Sequence, residues 1–445
     1  MSKVWSASVE RSREGALTVG GVDVRTLAAE YGTPLYVVDE ADMRSRAAAF
    51  RDHFSAAFGR KGAGIDVYYA GKAFLCSQVA RWMREEDLCV DVASLGELEI
   101  ALRGGMEPAR IGLHGNNKSD AELRRALEVG VGRIIVDSFT EIEVLDALAG
   151  ELGVKAPVLV RVTTGVHAGG HKYIATSHED QKFGLSLAAG AAYEALVACH
   201  DAANLRLLGI HTHIGSQILS LAAFQESAER MLGLRAAFTA DTGAELTEVD
   251  LGGGYAIAYT PAEEALDPRQ AAYGIADAVE AAVAKVGGTW PRFSIEPGRA
   301  IAGPAGMTLY TVGVVKQVQL DDGGRRQYVA VDGGMSDNMR TITYEAHYTA
   351  TIASRLSEAE PALSRVVGKH CESGDVVVSD VDLPHDIARG DLLAVPATGA
   401  YGRSMSNNYN AALRPAVVAV RGGESKVLVR RDTVQDLLNL DVPPL

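Results

Sequence analysis

Four groups of residues that could perform chemistry each follow directly on a short apolar run. They are Lys72 after residues 67–71, His213 after residues 207–212, the glycines 252–254 after residues 249–251, and Glu296 after residues 293–295. Eight such runs recur between about residues 67 and 297. In an eight-stranded parallel barrel the strand ends open onto one face, where catalytic groups gather. The pattern therefore predicts that these residues share one site.

Together these side chains predict pyridoxal phosphate chemistry. A lysine at the end of a buried strand is expensive unless it is neutral or bonded, and a covalent link between Lys72 and the cofactor aldehyde would solve that problem. A glycine turn such as Gly253-Gly254 can offer backbone N–H groups to a phosphate, and Ser216 could add a hydroxyl. A carboxylate such as Glu296 keeps the pyridine nitrogen protonated, which makes the ring a better electron sink.

Each of these residues alone also has an ordinary structural interpretation. A lysine in a strand–helix turn is often a surface residue, and a triple glycine is often only a turn. His213 could stack on a cofactor ring, but a single histidine is more often a core residue. The combination on one predicted rim is what favours the cofactor.

The composition indicates a globular enzyme of two domains. The 445 residues are 47% hydrophobic and 22% charged, and the chain is too long for one ordinary domain. A formal net charge of −14 argues against nucleic acid or an anionic membrane as a partner. The four cysteines form no CxxC pair and no His or Cys cluster has zinc-ligand spacing, so we expect neither a disulfide framework nor a metal site. With no apolar signal core and no membrane-length apolar run, the expected location is the cytoplasm.

The order of predicted elements indicates an α/β fold with a parallel (β/α)8 TIM-type barrel and a mostly antiparallel β domain. Short strands alternate with helical segments in residues 46–304, whereas β-rich runs separated by turns fill residues 305–445. Residues 16–22 predict a hairpin, and we expect the segment 1–45 to join the β domain. The polar stretch 164–184 is typical of an active-site loop.

The predicted β domain carries further candidates. Cys371 lies in the polar turn Cys-Glu-Ser-Gly-Asp, where a thiol could be reached and could exchange a proton. A lone cysteine is more often a buried small hydrophobe. Arg340, Tyr344 and Tyr401 lie in polar stretches that could form another rim.

The ordered motifs of the chain resemble those of the diaminopimelate decarboxylases, pyridoxal phosphate enzymes of fold type III with an alanine-racemase-like barrel and a β domain. The motifs are YAGKAF at 69–74, DVASLGEL at 91–98, HTHIGSQ at 211–217, DLGGG at 250–254, EPGR at 296–299, CESGD at 371–375 and the turn around Tyr401. The resemblance covers nearly the whole chain. It implies that meso-2,6-diaminopimelate is converted to L-lysine and CO₂, the last step of lysine biosynthesis.

The resemblance also implies a role for each matching residue. Lys72 matches the lysine that is linked to the cofactor, and Cys371 matches the proposed proton donor. The implied cofactor contacts are Lys72, His213, Ser216, Gly253, Gly254, Glu296, Gly298, Arg299 and Tyr401. The implied substrate contacts are Arg299, Arg340, Tyr344, Glu372 and Tyr401. In the family Cys371 and Glu372 reach the site of the neighbouring subunit, so a homodimer with shared active sites is implied.

Two stretches depart from the pattern of many relatives. Residues 368–370 read Gly-Lys-His where many relatives have Gly-Pro before the Cys-Glu pair, and residues 114–118 read His-Gly-Asn-Asn-Lys. The first departure leaves the reactive pair intact. The second is a variant for which the sequence offers no functional account.

Three alternative functions stay open from the residues. An ornithine or arginine decarboxylase would share the scaffold, but those relatives typically carry Cys-Asp where this chain has Cys371-Glu372. An alanine racemase normally places an arginine rather than a glutamate against the ring nitrogen. A non-catalytic pyridoxal phosphate-binding relative would usually lack the lysine or the cysteine, and this chain has both.

Overall fold

The computed structural model describes residues 3–166 and 181–442 and divides into two compact units. One unit contains residues 1–45, 257–263 and 299–445, and the other contains residues 46–256 and 264–298. The barrel range predicted from the sequence, 46–304, also includes residues 257–263 and 299–304, which lie in the first unit here. The predicted boundaries of folding domains stay a proposal.

The strands are numbered in chain order. They are β1 Glu10–Arg11, β2 Leu17–Val19, β3 Val22–Asp23, β4 Leu35–Asp39, β5 Ile65–Ala70, β6 Cys89–Val92, β7 Ile111–Leu113, β8 Arg133–Val136, β9 Ala156–Thr163, β10 Leu185–Ser186, β11 Leu205–His211, β12 Glu248–Asp250, β13 Arg292–Ile295, β14 Gly306–Gln319, β15 Arg325–Val331, β16 Thr351–Ile352, β17 Pro361–Val367, β18 Val376–Pro384, β19 Leu392–Pro396, β20 Ala416–Arg421 and β21 Glu424–Val429.

The α-helices are numbered in the same way. They are α1 Val24–Tyr31, α2 Glu40–Gly59, α3 Ser77–Glu85, α4 Leu95–Arg103, α5 Asp120–Val129, α6 Phe139–Leu152, α7 Ala191–Asp201, α8 Leu221–Thr242, α9 Pro268–Val286, α10 Arg299–Ala302, α11 Arg340–Tyr344 and α12 Val434–Leu438. None of the helices in the described ranges has both the length and the apolar character needed to cross a lipid bilayer.

Eight parallel strands close into a ring in the second unit, which confirms the predicted barrel. The ring runs β5, β6, β7, β8, β9, β11, β12, β13 and back to β5. Its strands are short and almost wholly buried, as expected for strands covered on both faces. The short strand β10 pairs with β9 outside this ring.

Serine caps fix where three barrel helices begin. Ser119 accepts a hydrogen bond from the Glu122 backbone, and the Glu122 side chain accepts from the Ser119 backbone in return, as the sequence Ser-Asp-Ala-Glu predicts. Ser94 and Ser138 cap α4 and α6 in the same position after their strands. These caps set how sharply each strand turns into its helix.

The sheets of the first unit are mostly antiparallel, as predicted, with two parallel strand pairs. The predicted N-terminal hairpin is present as β2–β3 and extends to β1. A larger sheet runs in the order β18, β17, β15, β14, β4, β20, β21, and its pairs β15–β17 and β20–β4 are parallel. Strands β4 and β17 had not been predicted. Most of the predicted active-site loop 164–184 lies outside the described residues, which resume at residue 181.

Candidate active site

The carboxyl ends of the barrel strands bring the predicted rim residues around one pocket. Lys72 lies in the short turn Gly71–Ala73 after β5, and His213 and Glu296 follow β11 and β13 by one or two residues. These three side chains line the pocket with Asp91, His114, Arg161 and His211. With Glu97, which also lines the pocket, the described residues there carry an amine, three imidazoles, three carboxylates and a guanidinium.

Lys72 is solvent-exposed at this pocket, which corrects one step of the sequence argument. The cost of burying a charged lysine is therefore no reason for a covalent bond at this position. Its positive charge instead acts on the pocket, because it is among the causes that lower the pKa of Asp91 and of Glu296. A lysine amine that faces acidic groups from an accessible position can meet an aldehyde.

Glu296 is buried and is contacted by two imidazoles through the same oxygen. Its Oε1 lies 2.8 Å from His211 Nε2 and 3.5 Å from His114 Nε2. Burial raises the pKa of Glu296, and the His114 ring opposes that shift. Burial lowers the pKa of His211, so this ring is neutral at pH 7 and its Nε2–H can donate to the carboxylate.

His114 and Asp91 are site residues that the sequence reasoning had not assigned. The His114 Nε2 atom lies 3.1 Å from Asp91 Oδ1. Burial lowers the pKa of His114 to about 4 and raises the pKa of Asp91 to about 8. At neutral pH the pair is therefore an uncharged imidazole and a largely protonated acid. In the sequence, His114 was visible only as the first residue of the variant motif at 114–118, and Asp91 only as the first residue of the motif DVASLGEL.

His114, His211 and Glu296 also form a cluster that could hold a metal ion. One ligand atom from each lies within 4.8 Å of the others. From the sequence no metal site was expected, because no His or Cys cluster has the spacing of zinc ligands, whereas these three residues lie far apart in the chain. The cluster shows that spacing along the chain is a poor guide in a barrel, where distant residues meet.

The glycine turn after β12 orients His213. The Gly253 N–H donates to His213 Nδ1 over 3.2 Å, and the Gly252 N–H donates to Asp250 Oδ1 over 2.7 Å. These two N–H groups are thus engaged within the protein. A Cβ atom on Gly254 would lie 2.5 Å from the Gly215 carbonyl oxygen, and its φ is +108°. Only glycine fits there.

Three further predicted residues lie on the elements expected for them. Ser216 is half-buried in the segment after β11, and Tyr344 is half-buried at the end of α11. Gly298 packs against β5, where an added Cβ would lie 2.9 Å from the Ala70 carbonyl oxygen.

A buried ion pair supports the floor of the pocket. The Arg133 guanidinium lies 2.5 Å from Asp250 Oδ2 and 2.8 Å from Ser294 Oγ, and it stacks 3.5 Å above the centre of the Tyr68 ring. Asp250 in turn holds the Gly252 N–H. Arg133 therefore fixes the start of the glycine turn through one intermediate side chain.

We expect Arg133→Met to lower the free energy of unfolding by about 3–5 kcal/mol, because it leaves the buried Asp250 carboxylate without a cationic partner. Urea denaturation followed by circular dichroism measures the change. Arg124→Met on the exposed face of α5 is the matched control. The double variant Arg133→Met/Asp250→Asn should recover part of the loss. A loss below about 1 kcal/mol would contradict the buried-pair argument.

The first unit contains a separate cluster of two arginines and three tyrosines. Arg340 is buried, donates to the Tyr348 hydroxyl over 2.6 Å and lies 4.7 Å from the centre of the Tyr259 ring. Arg299 donates to the Tyr259 hydroxyl and lies 4.6 Å from the centre of the Tyr401 ring. Tyr259 and Tyr348 had not been predicted. Two guanidinium groups among phenol rings make a site suited to a carboxylate.

Cys371 and Glu372 lie on the exposed turn between β17 and β18. Buried Asp375 shapes this turn by accepting hydrogen bonds from the backbone N–H groups of His370 and Met335. The His370 ring contacts Ser336 Oγ at 2.8 Å and Asn410 Oδ1 at 3.1 Å. The departure at 368–370 therefore has a structural role, since His370 anchors the turn that carries the reactive pair.

Comparisons with known proteins agree with this arrangement. Residues 40–303 match the model of the pyridoxal-dependent decarboxylases, pyridoxal binding domain. The chain is 50% identical over 443 residues to diaminopimelate decarboxylase of Mycobacterium tuberculosis, covering 99% of this chain and 98% of the relative. It is 45% identical to diaminopimelate decarboxylase of Bacillus subtilis, covering 97% of each. The solved diaminopimelate decarboxylase of M. jannaschii in complex with L-lysine has a TM-score of 0.89 and 30% identity, covering 99% of this chain and 98% of that one.

Proposed function

Since this chain belongs to the diaminopimelate decarboxylases, we propose that it converts meso-2,6-diaminopimelate to L-lysine and CO₂ with pyridoxal phosphate as cofactor. The observation that carries the proposal is the joint presence of Lys72, His213 and Glu296 around one barrel pocket. This reaction completes the synthesis of lysine. The cytoplasm, where that synthesis would take place, is the proposed location.

The pocket fits the proposed cofactor by its chemistry. It combines an accessible amine at Lys72, a neutral ring at His213 and a buried carboxylate at Glu296, and the tight glycine turn lies on the same barrel face. When bound, pyridoxal phosphate would accept the electron pair left on the substrate Cα as CO₂ departs. Lys72 would hold the aldehyde, Gly254 and Ser216 the phosphate, and Glu296 the ring nitrogen.

The chain's own residues would orient the substrate and move the proton. Arg299 and Arg340 are proposed to bind a substrate carboxylate, with Tyr344 and Tyr401 beside it. Glu372 is proposed to recognise the distal amino group, because an ionised carboxylate pairs with an ammonium group. The Cys371 thiol is proposed to protonate Cα after CO₂ leaves. The substrate-binding groups would act by orienting the substrate. Decarboxylation requires the bond between Cα and the departing carboxylate to be aligned with the π system of the ring.

A homodimer is proposed to complete the site. Cys371 and Glu372 are exposed on their turn, which supports a role in contacting a second copy of the chain. In this arrangement each subunit would supply a lysine to one site and a thiol to the other.

The test is CO₂ release by the purified protein loaded with pyridoxal phosphate. We expect a strong preference for meso-diaminopimelate over L-ornithine and L-arginine, because a site built for charged groups leaves them unpaired with a substrate that lacks the second carboxylate. The product with diaminopimelate should be L-lysine. Turnover of ornithine or arginine at a similar rate would favour the basic amino-acid decarboxylase. Cofactor binding without any turnover would favour the non-catalytic relative.

A further inference from the structure

The cluster of arginines and tyrosines in the first unit contains a buried cation whose neighbours are phenols. Only 5% of the surface of Arg340 is exposed. Its guanidinium donates to the Tyr348 hydroxyl over 2.6 Å, and it makes no salt bridge with any residue in the ranges 3–166 and 181–442. A buried charge without an opposite charge beside it is costly. Arg340 is therefore suited to receive an anionic ligand.

Each of the two guanidinium groups in this cluster is held by a different tyrosine hydroxyl. Arg299 donates to the hydroxyl of Tyr259, and Arg340 donates to the hydroxyl of Tyr348. The rings of Tyr259 and Tyr348 are both buried and meet edge to face, with centroids 5.2 Å apart and an angle of 77° between their planes. Because the two rings pack on each other, the position of one guanidinium is tied to the position of the other.

Two tyrosine rings contact both guanidinium groups at once. The centre of the Tyr259 ring lies 4.7 Å from Arg340 Cζ and 5.8 Å from Arg299 Cζ. The centre of the Tyr401 ring lies 4.6 Å from Arg299 Cζ and 5.9 Å from Arg340 Cζ. The Tyr259 backbone N–H donates to Glu263 Oε2 over 2.7 Å, which holds the segment that carries this ring. Aromatic faces attract guanidinium groups, so these contacts offset the repulsion between the two like charges.

Phenols hold the arginines without neutralising them. An aspartate or glutamate in the same place would accept the same hydrogen bond, but its charge would cancel that of the arginine and repel a carboxylate ligand. Burial raises the pKa of Tyr348, so its hydroxyl keeps its proton and stays neutral at pH 7. The positive charge of Arg340 therefore remains available to a ligand, while the direction of its side chain is fixed.

We propose that Tyr259 and Tyr348 are positioning residues that set the preference for a substrate carboxylate, by holding Arg299 and Arg340 in the geometry that one carboxylate requires. The inference rests on the proposed function, in which these two arginines bind a carboxylate of the substrate. It assigns to them the carboxylate that remains in L-lysine, away from the bond that breaks. Removing either hydroxyl leaves a buried N–H without its acceptor and frees one guanidinium, so affinity for the carboxylate should fall.

The experiment measures the dissociation constants of L-lysine and of cadaverine from the protein loaded with pyridoxal phosphate, by titration calorimetry. The two molecules differ only in the carboxylate, so the ratio of their constants isolates its contribution. For Tyr259→Phe and for Tyr348→Phe we expect L-lysine to bind about tenfold more weakly and cadaverine to bind as before. In the CO₂ assay KM for meso-diaminopimelate should rise about tenfold with kcat almost unchanged, because the lost contact lies away from the reacting bond.

A matched variant separates positioning from general damage to the first unit. Tyr31→Phe also removes a hydroxyl hydrogen bond in this unit, the one that joins Tyr31 to Ser425 Oγ over 2.8 Å. It should leave both the ratio of constants and KM unchanged. Thermal melting identifies any variant that is unfolded at the assay temperature. If Tyr259→Phe or Tyr348→Phe is unfolded, the other decides, because each acts on a different arginine.

The outcomes decide between the inference and the function on which it rests. A smaller preference for L-lysine over cadaverine in both variants, with cadaverine binding unchanged, supports the inference. If the unsubstituted protein decarboxylates diaminopimelate and both variants keep its preference for L-lysine, the inference fails and the function stands. An equal loss of affinity for both molecules also overturns the inference, since it indicates general damage. If the unsubstituted protein does not distinguish the two molecules and releases no CO₂, both fail.

Discussion

Lys72→Ala should reduce CO₂ release from diaminopimelate by about 10³-fold or more, because the accessible amine proposed to hold the cofactor aldehyde is then lost. The absorbance band of cofactor joined to the protein should disappear as well. The folded state should be almost unaffected, since Lys72 is exposed and its removal leaves no buried group unpaired. The loss is thus expected in the chemical step and in cofactor attachment rather than in stability.

Lys155→Ala is the matched control for this variant. Lys155 is an exposed lysine that immediately precedes β9, at the opposite end of a barrel strand from the pocket. Its replacement should leave both the absorbance band and turnover unchanged. An absorbance band and full turnover in Lys72→Ala would show that the cofactor is held by a different group.

Cys371→Ala should reduce turnover by about 10²–10⁴-fold, the range for loss of a positioned proton donor. Cofactor attachment should persist, because Lys72, the residue proposed to hold the cofactor aldehyde, is unchanged. Cys199→Ala, on α7 of the barrel, is the control and should retain activity. The variant therefore separates proton donation from cofactor binding.

Mixing the two inactive variants tests the shared dimer. If each site takes its lysine from one subunit and its thiol from the other, a heterodimer of Lys72→Ala and Cys371→Ala has one intact site. After unfolding and reassociation of equal amounts, about a quarter of normal activity should return. Activity that stays at the level of the separate variants would mean that both groups act within one subunit or that no dimer forms.

The barrel and its main reactive groups could be predicted from sequence because each reactive residue directly follows an apolar run. The run marks the strand, and the position after the run marks the catalytic face. A strand such as β13 shows as an apolar run, and the residue after it, Glu296, falls on the catalytic face by the geometry of parallel barrels. In the same way Lys72 and His213 follow directly from the strands that carry them. The recurrence of the apolar runs and the shared direction of the strands were enough to predict that these residues lie on one face.

Residues whose role depends on distant partners could not be found in that way. His114 reaches Glu296 only because closure of the ring brings the ends of β7 and β13 around one pocket. Nothing in residues 111–118 indicates Glu296. Strand β4 was missed for a related reason, since its residues Leu35–Asp39 form a short, wholly buried run and nothing in that run indicates its distant partners β14 and β20. Likewise, nothing in the sequence around Tyr259, which precedes the long helix α9, indicates its contacts with Arg299 and Arg340.

The position of β4 has a consequence for how the chain is made. This N-terminal strand is hydrogen-bonded on one side to β14 and on the other to β20, which ends at Arg421. During synthesis one edge of β4 stays unpaired until β14 has left the ribosome, and the other stays unpaired until β20, near the end of the chain, has left it. The barrel strands between residues 65 and 295 pair mainly with sequence neighbours and can form earlier. The nascent first unit is therefore the part that most needs protection from aggregation, and shortening the chain before β20 should send it to chaperones or proteases.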